Sequence, residues 1–404
     1  MSKKTALIII SIAVLLIIGG LLWFYFFYGR TPPVEPPSPG TFPAVDGSGG
    51  TRGGSGAGGG AGSSPEIFAE PRLRLLSSSP VAGAISVIKG SAQTVRFVDR
   101  ASGNVFEVSL SDSVAVPTRL TNATIPKVYE ALWQKGGERT LLRYLKDDEE
   151  TIDTFSGHIR PKSGGGNELI GGFLPANIKT LAVSPDGSRL FYLKSDESGV
   201  LGVRSGFDGS SKVEAWESPV REWLATWPKG DTVALTSKPS ATFRGILLFL
   251  NPQTGESDKI LSGKEGLLTA VSPSTERVLY SSRSGNGVSA FLYERKTRSE
   301  ERLPVKTLAD KCAWARESDA VYCGIPKYIP SGAYPDNWYQ GTVSFEDELW
   351  KIEASSQNAT RVADFSQEID LPLDILNPFL SEDGNYFIFM NKSDLTLWSL
   401  RLKE

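Results

Sequence analysis

The chain reads as an all-β, seven-bladed β-propeller. Three observations predict this. A short phrase recurs about every 45 residues, the period of a four-stranded propeller blade. Its copies read Leu181-Ala-Val-Ser-Pro-Asp-Gly-Ser-Arg-Leu-Phe-Tyr-Leu, Leu224-Ala-Thr-Trp-Pro-Lys-Gly-Asp-Thr-Val-Ala-Leu and Leu268-Thr-Ala-Val-Ser-Pro-Ser-Thr-Glu-Arg-Val-Leu-Tyr, with looser copies at 130–144, 312–323 and 378–389. Composition suits a turn-rich β protein, with 41 glycines and 25 prolines in 404 residues. From residue 71 onward the pattern is strand–turn–strand, with no long amphipathic helix.

The first 66 residues are of another kind. Residues 6–28 are almost wholly apolar and carry no charge, and about 20 apolar residues suffice for a helix to cross the hydrocarbon core. This predicts one transmembrane helix in contact with the lipid bilayer. Lys3 and Lys4 precede it, so residues 1–5 read as a cytoplasmic stub. Trp23, Tyr25 and Tyr28 suit the outer headgroup layer, while Arg30 is a positive charge on the wrong side. A cleaved signal peptide is the competing reading. It calls for a shorter apolar region and small residues at the cut, whereas this run ends in aromatics. Residues 29–66 are a Pro-rich then Gly/Ser-rich linker. A formal G-x-G-x-x-G within it, at 54–59, lacks the strand and helix that would make it a nucleotide site. The propeller domain then spans 67–404.

The blades follow in order. The unit at 181–216 sets the pattern: a short inner strand, a Ser184-Pro-Asp-Gly turn, and three further strands at 190–193, 200–206 and 213–216. Proline pre-sets φ in such a turn, aspartate caps it, and glycine tolerates positive φ. Equivalent units run from 84, 128, 223, 267 and 312. The seventh, from 379, holds only three strands. Arg72-Leu-Arg-Leu-Leu, which aligns with the outer strand at Thr118, is the candidate fourth strand, exchanged across the ring to close it. Six blades is the competing count, because the first unit is weakest in turn chemistry.

The Ser184-Pro-Asp-Gly turn after a short apolar strand, followed by Phe191-Tyr-Leu-Lys-Ser-Asp, resembles the WD40-like repeat of TolB-type propellers. The resemblance spans roughly residues 71–404. Trp227-Pro-Lys-Gly, Ser272-Pro-Ser-Thr and Ser381-Glu-Asp-Gly match in part; Lys135-Gly-Gly and Arg316-Glu-Ser-Asp depart further. It implies the fold and a place in the cell envelope, and transfers no partner.

A formal net charge of −3 gives no basic field for nucleic acid. One histidine, His158, leaves little room for His-based metal sites or a Ser-His-Asp triad. It reads as structural. No catalytic residue, cofactor or metal ligand is assigned. Cys312 and Cys323 flank one hairpin turn symmetrically, so they are a disulfide candidate, or two small buried residues. An insertion at about 325–345 carries Tyr328, Tyr334, Asp336, Trp338 and Tyr339. Such a loop is a candidate interaction surface, or its rings plug the mouth of the propeller. Trp133, Trp227 and Trp314 share the end of the inner strand, which suits blade-to-blade contact. Asp147-Asp-Glu-Glu reads as a solvated hairpin tip. Asn122, Asn358 and Asn391 begin glycosylation triplets.

The function expected is a membrane-anchored, periplasmic or extracellular interaction or scaffolding module of the envelope, with a protein partner there. The alternative is a carboxylate-based enzyme or glycan binder using the central channel.

Overall fold

The computed structural model describes residues 71–112, 114–195 and 197–403. The apolar run at 6–28 and the linker at 29–66 lie outside the described residues. Among those described, no helix is long and apolar enough to cross a membrane.

Seven four-stranded antiparallel sheets follow one another along the chain. Blade 1 starts at Val81–Lys89, blade 2 at Val128–Trp133, blade 3 at Ile178–Val183 and blade 4 at Trp223–Lys229. Blades 5, 6 and 7 start at Leu268–Val271, Cys312–Trp314 and Ile375–Leu380. Each of these is the inner strand of its blade. The fourth strand of blade 7 is Leu73–Ser77, paired with Leu397–Arg401 in the register Leu73↔Leu400, Arg74↔Ser399 and Leu75↔Trp398. The ring therefore closes by the predicted exchange, and the count is seven. Leu76, Val81, Val95, Phe97, Leu110, Ile388 and Leu397 bury together across the seam between blades 7 and 1. Each such side chain contributes about 1.5–3 kcal/mol by leaving water.

The turn between the first two strands is more uniform than its sequence. In the Ser184-Pro-Asp-Gly copy, Ser184 N donates to Arg189 O at 2.9 Å, Gly187 N to Ser184 O at 2.8 Å, and Gly187 has φ +74°. Asp186 completes it, accepting from the Ser184 and Ser188 hydroxyls, which hold its carboxyl down at about 2. Blade 7 repeats the frame at Ser381–Tyr386, with Gly384 at φ +69°. Blade 5 repeats it with Thr275 at +65°, and blade 6 with Ser318 at +60°. Blade 2 repeats it through Gln134, with Gly137 at +71°. The two copies that match least by sequence thus share the geometry. Trp227-Pro-Lys-Gly, a closer match by sequence, does not: Lys229 pairs directly with Thr232 in a two-residue turn. Two backbone bonds and one left-handed residue define the frame. A non-glycine residue takes that place at a cost of about 1–2 kcal/mol.

In a four-stranded meander, the turns between strands one and two and between three and four lie on one rim, here the hairpin rim. The turns between strands two and three lie on the other, with the links to the next blade. That second rim, the crossover rim, carries the features that follow.

Candidate functional site

The insertion occupies residues 327–346, between Ala320–Pro326 and Asp347–Glu353 of blade 6. It lies over the crossover rim of its neighbours. Gly332 N donates to Asn286 O of the blade 5 turn at 2.9 Å. Asp336 Oδ2 accepts from Ala241 N at 3.1 Å and Ser240 Oγ at 3.2 Å, in the corresponding turn of blade 4. Where the insertion passes the link between blades 4 and 5, a Cβ on Gly266 would stand 2.6 Å from Tyr334 O, and its φ of +64° also favours glycine.

The five residues that the sequence singles out divide. Trp338 is 0% exposed and Tyr334 is buried, with its hydroxyl donating to Pro330 O at 2.7 Å. Both pack against the buried side chains of blades 5 and 6 and offer no surface. Tyr328 stands 74% exposed and Tyr339 43% exposed; the Tyr339 hydroxyl donates to Asp310 Oδ2. Asp336 is a tie to blade 4. Cys312 and Cys323 are cross-strand partners in blade 6, with their Sγ atoms bonded at 2.13 Å.

Beneath Trp338 lies a charged group that no sequence motif marks. Lys311 Nζ donates to Asp347 Oδ2 at 2.6 Å, to Asp374 Oδ1, and to Ile375 O at 3.1 Å. All three side chains are 0% exposed. The Trp338 indole N–H donates to both Asp374 oxygens at 3.0 and 3.1 Å, and Phe345 N donates to Oδ2 at 2.9 Å. Lys311 Nζ also lies 5.0 Å from the Trp338 ring centre. Burial raises the Asp347 carboxyl to about 6 against the pull of Lys311, and neighbouring Asp374 pushes it the same way. Its Oδ1 is buried and has no hydrogen-bond partner. These are two converging carboxylates, the arrangement that a carboxylate enzyme needs. Here one ammonium bridges them and two aromatic rings close over them, so they act as a clamp that holds the insertion down.

Across the rim the same ingredients are open. A recess of about 730 Å³ lies among blades 2, 3 and 4, lined by Glu130, Arg143, Lys179, Arg221, Glu222 and Lys238. Arg143 forms its floor, donating to Glu130 and, at 2.6 Å, to Ile178 O. Glu222 accepts from Lys238 at 3.1 Å, and Arg221 donates to Glu197 O at 2.9 Å. No described residue pairs with the exposed Lys179 ammonium. Trp223 forms a buried wall, its N–H given to Val220 O, and Leu224 is 40% exposed. A separate apolar space of about 490 Å³ lies among the inner strands, walled in part by Trp133 and Trp227. Trp314 instead donates to Ala270 O of the preceding blade at 2.9 Å.

The remaining sequence candidates are peripheral. His158 is half-buried, and burial, then Arg139 and Arg160, lower its pKa. The 147–150 run is an exposed hairpin tip. Asn391 is buried, its Oδ1 accepting from Asp374 N at 3.0 Å, so it is closed to a glycan. Among the described residues, no three His, Cys, Asp or Glu side chains gather as for a metal ion.

No family model and no curated protein sequence matches the chain. Solved structures do. The β-propeller domain of Cps50 (Swd1) from Myceliophteria thermophila is 11% identical, with 82% of this chain and 100% of that one covered at TM-score 0.51. The β-propeller domain of the Trilobed protease from Pyrococcus furiosus is 10% identical, covering 81% and 98% at TM-score 0.50. That domain is described as having an open velcro topology; here the seam is closed by an exchanged strand. TolB from Acinetobacter baumannii is 12% identical, with 65% of this chain matched to 60% of that one at TM-score 0.42. At these identities the likeness shows a β-propeller and nothing of its task.

Proposed function

We propose that this chain is a membrane-tethered interaction module. In this reading residues 6–28 span a bilayer, residues 29–66 are the tether, and the ring stands outside the cytoplasm to engage a protein partner of the envelope. One observation carries the interaction reading: the crossover rim is asymmetric. The insertion clamps down one half, and the other keeps an open charged recess of about 730 Å³. A rigid ring with one covered and one open half presents a directional surface. The apolar run and the linker composition support the tether.

The test uses the full chain in cells. A photo-crosslinking amino acid is placed at Leu224 beside the recess, at Tyr328 on the insertion, and at the hairpin-rim residue Gly136 as a control. Discrete protein adducts at either of the first two sites, absent at 136, support the reading. Adducts at none of them, or release of the chain from membranes by carbonate, overturn it.

A further inference from the structure

We propose that Lys311 and Asp374 condense to an isopeptide bond, an amide between Nζ and Cγ, with Asp347 carrying the protons. This modification goes beyond the interaction reading and does not depend on it. The bond joins the entry of blade 6 to the entry of blade 7, since Lys311 directly precedes Cys312–Trp314 and Asp374 directly precedes Ile375–Leu380.

An ion pair needs only contact, and this cluster holds more than that. Nucleophile, electrophile and proton carrier meet on one nitrogen: Lys311 Nζ donates to Asp347 Oδ2 at 2.6 Å and to Asp374 Oδ1. All three side chains are wholly buried, with the Trp338 and Phe345 ring centres 5.0 and 5.2 Å from Nζ. Reactants held in this way reach an effective molarity on the order of 10⁵ M or more. Exclusion of water also protects the product from hydrolysis. The two carboxyls are not equivalent. Asp374 Oδ2 accepts from Phe345 N at 2.9 Å and from Trp338 Nε1 at 3.1 Å, two donors placed where negative charge develops when Cγ is attacked. Asp347 has one such donor, Ile375 N at 2.7 Å from Oδ2, and its Oδ1 is buried without a partner. Burial raises its carboxyl to about 6, which suits a group that takes and returns a proton near neutrality.

Atoms and charge balance. Asp347 takes one proton from the Lys311 ammonium and passes it to Asp374 Oδ1, so that an amine faces a carboxylic acid. The amine turns about its Cε–Nζ bond, and its lone pair forms the bond to Cγ. The carbonyl π pair moves onto Oδ2, under the Phe345 and Trp338 N–H groups. Asp347 then relays a second proton from the nitrogen to Oδ1. The Cγ–Oδ1 bond breaks, its electron pair leaves with Oδ1 as water, and the pair on Oδ2 restores the carbonyl. Asp347 ends as it began, and no oxidant or co-reactant enters. The product keeps its partners. Its single N–H faces Ile375 O, which already accepts from Nζ at 3.1 Å, and its oxygen keeps Phe345 N and Trp338 Nε1.

The test is mass spectrometry of the full chain, purified in detergent and then denatured, reduced and alkylated. We expect an intact mass about 18 Da below that of the alkylated sequence, the loss of one water. Trypsin cuts after Lys and Arg. It should pass over the acylated Lys311 and release peptide 307–316 joined to peptide 362–392. Asp347 lies on a third peptide, 328–351, so the site of linkage is read directly. An unshifted intact mass, with 307–311 and 362–392 recovered free, overturns the proposal. A link from 307–316 to 328–351 overturns the roles given to the two carboxyls. Asp347→Asn should lower the linked fraction by about tenfold or more. Full linkage in that variant removes Asp347 from the chemistry. A cooperative urea transition shows that the variant is folded. Trp338→Phe keeps all three reacting side chains and loses one donor to Oδ2, so it should lower the linked fraction independently.

Discussion

Lys311 and Arg143 stand on the same rim, each bonded to a carboxylate and to a backbone carbonyl, and their surroundings are opposite. Lys311 has two carboxylates and a lid. Arg143 has one, and that partner, Glu130, keeps 41% of its side chain in water. The difference teaches what burying a charge requires. An ammonium wholly out of water needs full neutralisation and every lone pair engaged. Asp374 comes close, accepting from Lys311, Trp338 and Phe345. Without a lid, solvent does the remaining work, and charge can be left over for a ligand.

The comparison can be broken by removing each cation in turn. Lys311→Met leaves two buried carboxylates facing each other. It should cost about 3–5 kcal/mol, read as a lower urea midpoint at unchanged slope. A loss under about 1 kcal/mol would mean that the clamp is not what holds the lid.

Acidity sharpens the same contrast. Asp347 goes from 3.8 in the unfolded chain to about 6 in the folded one. A carboxyl raised on folding stabilises the protonated fold, fully below 3.8, and that contribution is lost as pH rises through about 6. The rise corresponds to about 3 kcal/mol at most. Burial raises Asp310 in the same sense. Carboxyls held low, such as Asp186 at about 2, act oppositely but below this window. Stability measured at pH 5 and pH 7 should therefore differ less in Asp347→Asn than in the parent. An identical difference in the two proteins would refute the assignment.

Smaller effects belong to the open half. Arg143→Met removes charged bonds to Glu130 and to the link before blade 3. Chemical denaturation should show a cost of about 1–3 kcal/mol. Smallest is Lys179→Glu, whose stability should stay within about 0.5 kcal/mol of the parent by thermal or chemical denaturation. A destabilised Lys179→Glu would give that lysine a structural task and erase the distinction between the halves.

The ring was legible because propeller repeats are local. Period, turn residues and strand alternation recur within each unit, and the seam at Leu73–Ser77 showed in the likeness of the segment from Arg72 to the outer strand and crossing that start at Thr118. Turn quality was a poorer guide, since Thr275 and Ser318 adopt the glycine conformation without the glycine. The insertion was legible as a stretch of unusual length and aromatic content. Which of its rings faced inward was not, because Tyr334 and Tyr339 lie five residues apart with one buried and one partly exposed. Lys311, Asp347 and Asp374 come from three separate stretches of chain. The available hint was a lone charge in an apolar setting, Leu371-Pro-Leu-Asp-Ile-Leu above all. The recess is assembled from the ends of three blades, and no window of sequence contains it.

The closing strand has a mechanical consequence. Arg401 N and Arg72 Nε exchange bonds with Arg72 O and Arg401 O at 2.9 and 2.8 Å; Arg72 Nη1 reaches Val362 O at 3.1 Å, and Leu73 N reaches Glu368 Oε2 at 2.9 Å. A tug delivered along the preceding chain loads these four bonds before it loads the strand pair behind them. They fasten residues 72–73 to two blades at once, so such a force is shared by blades 6 and 7 and does not simply unzip the ring.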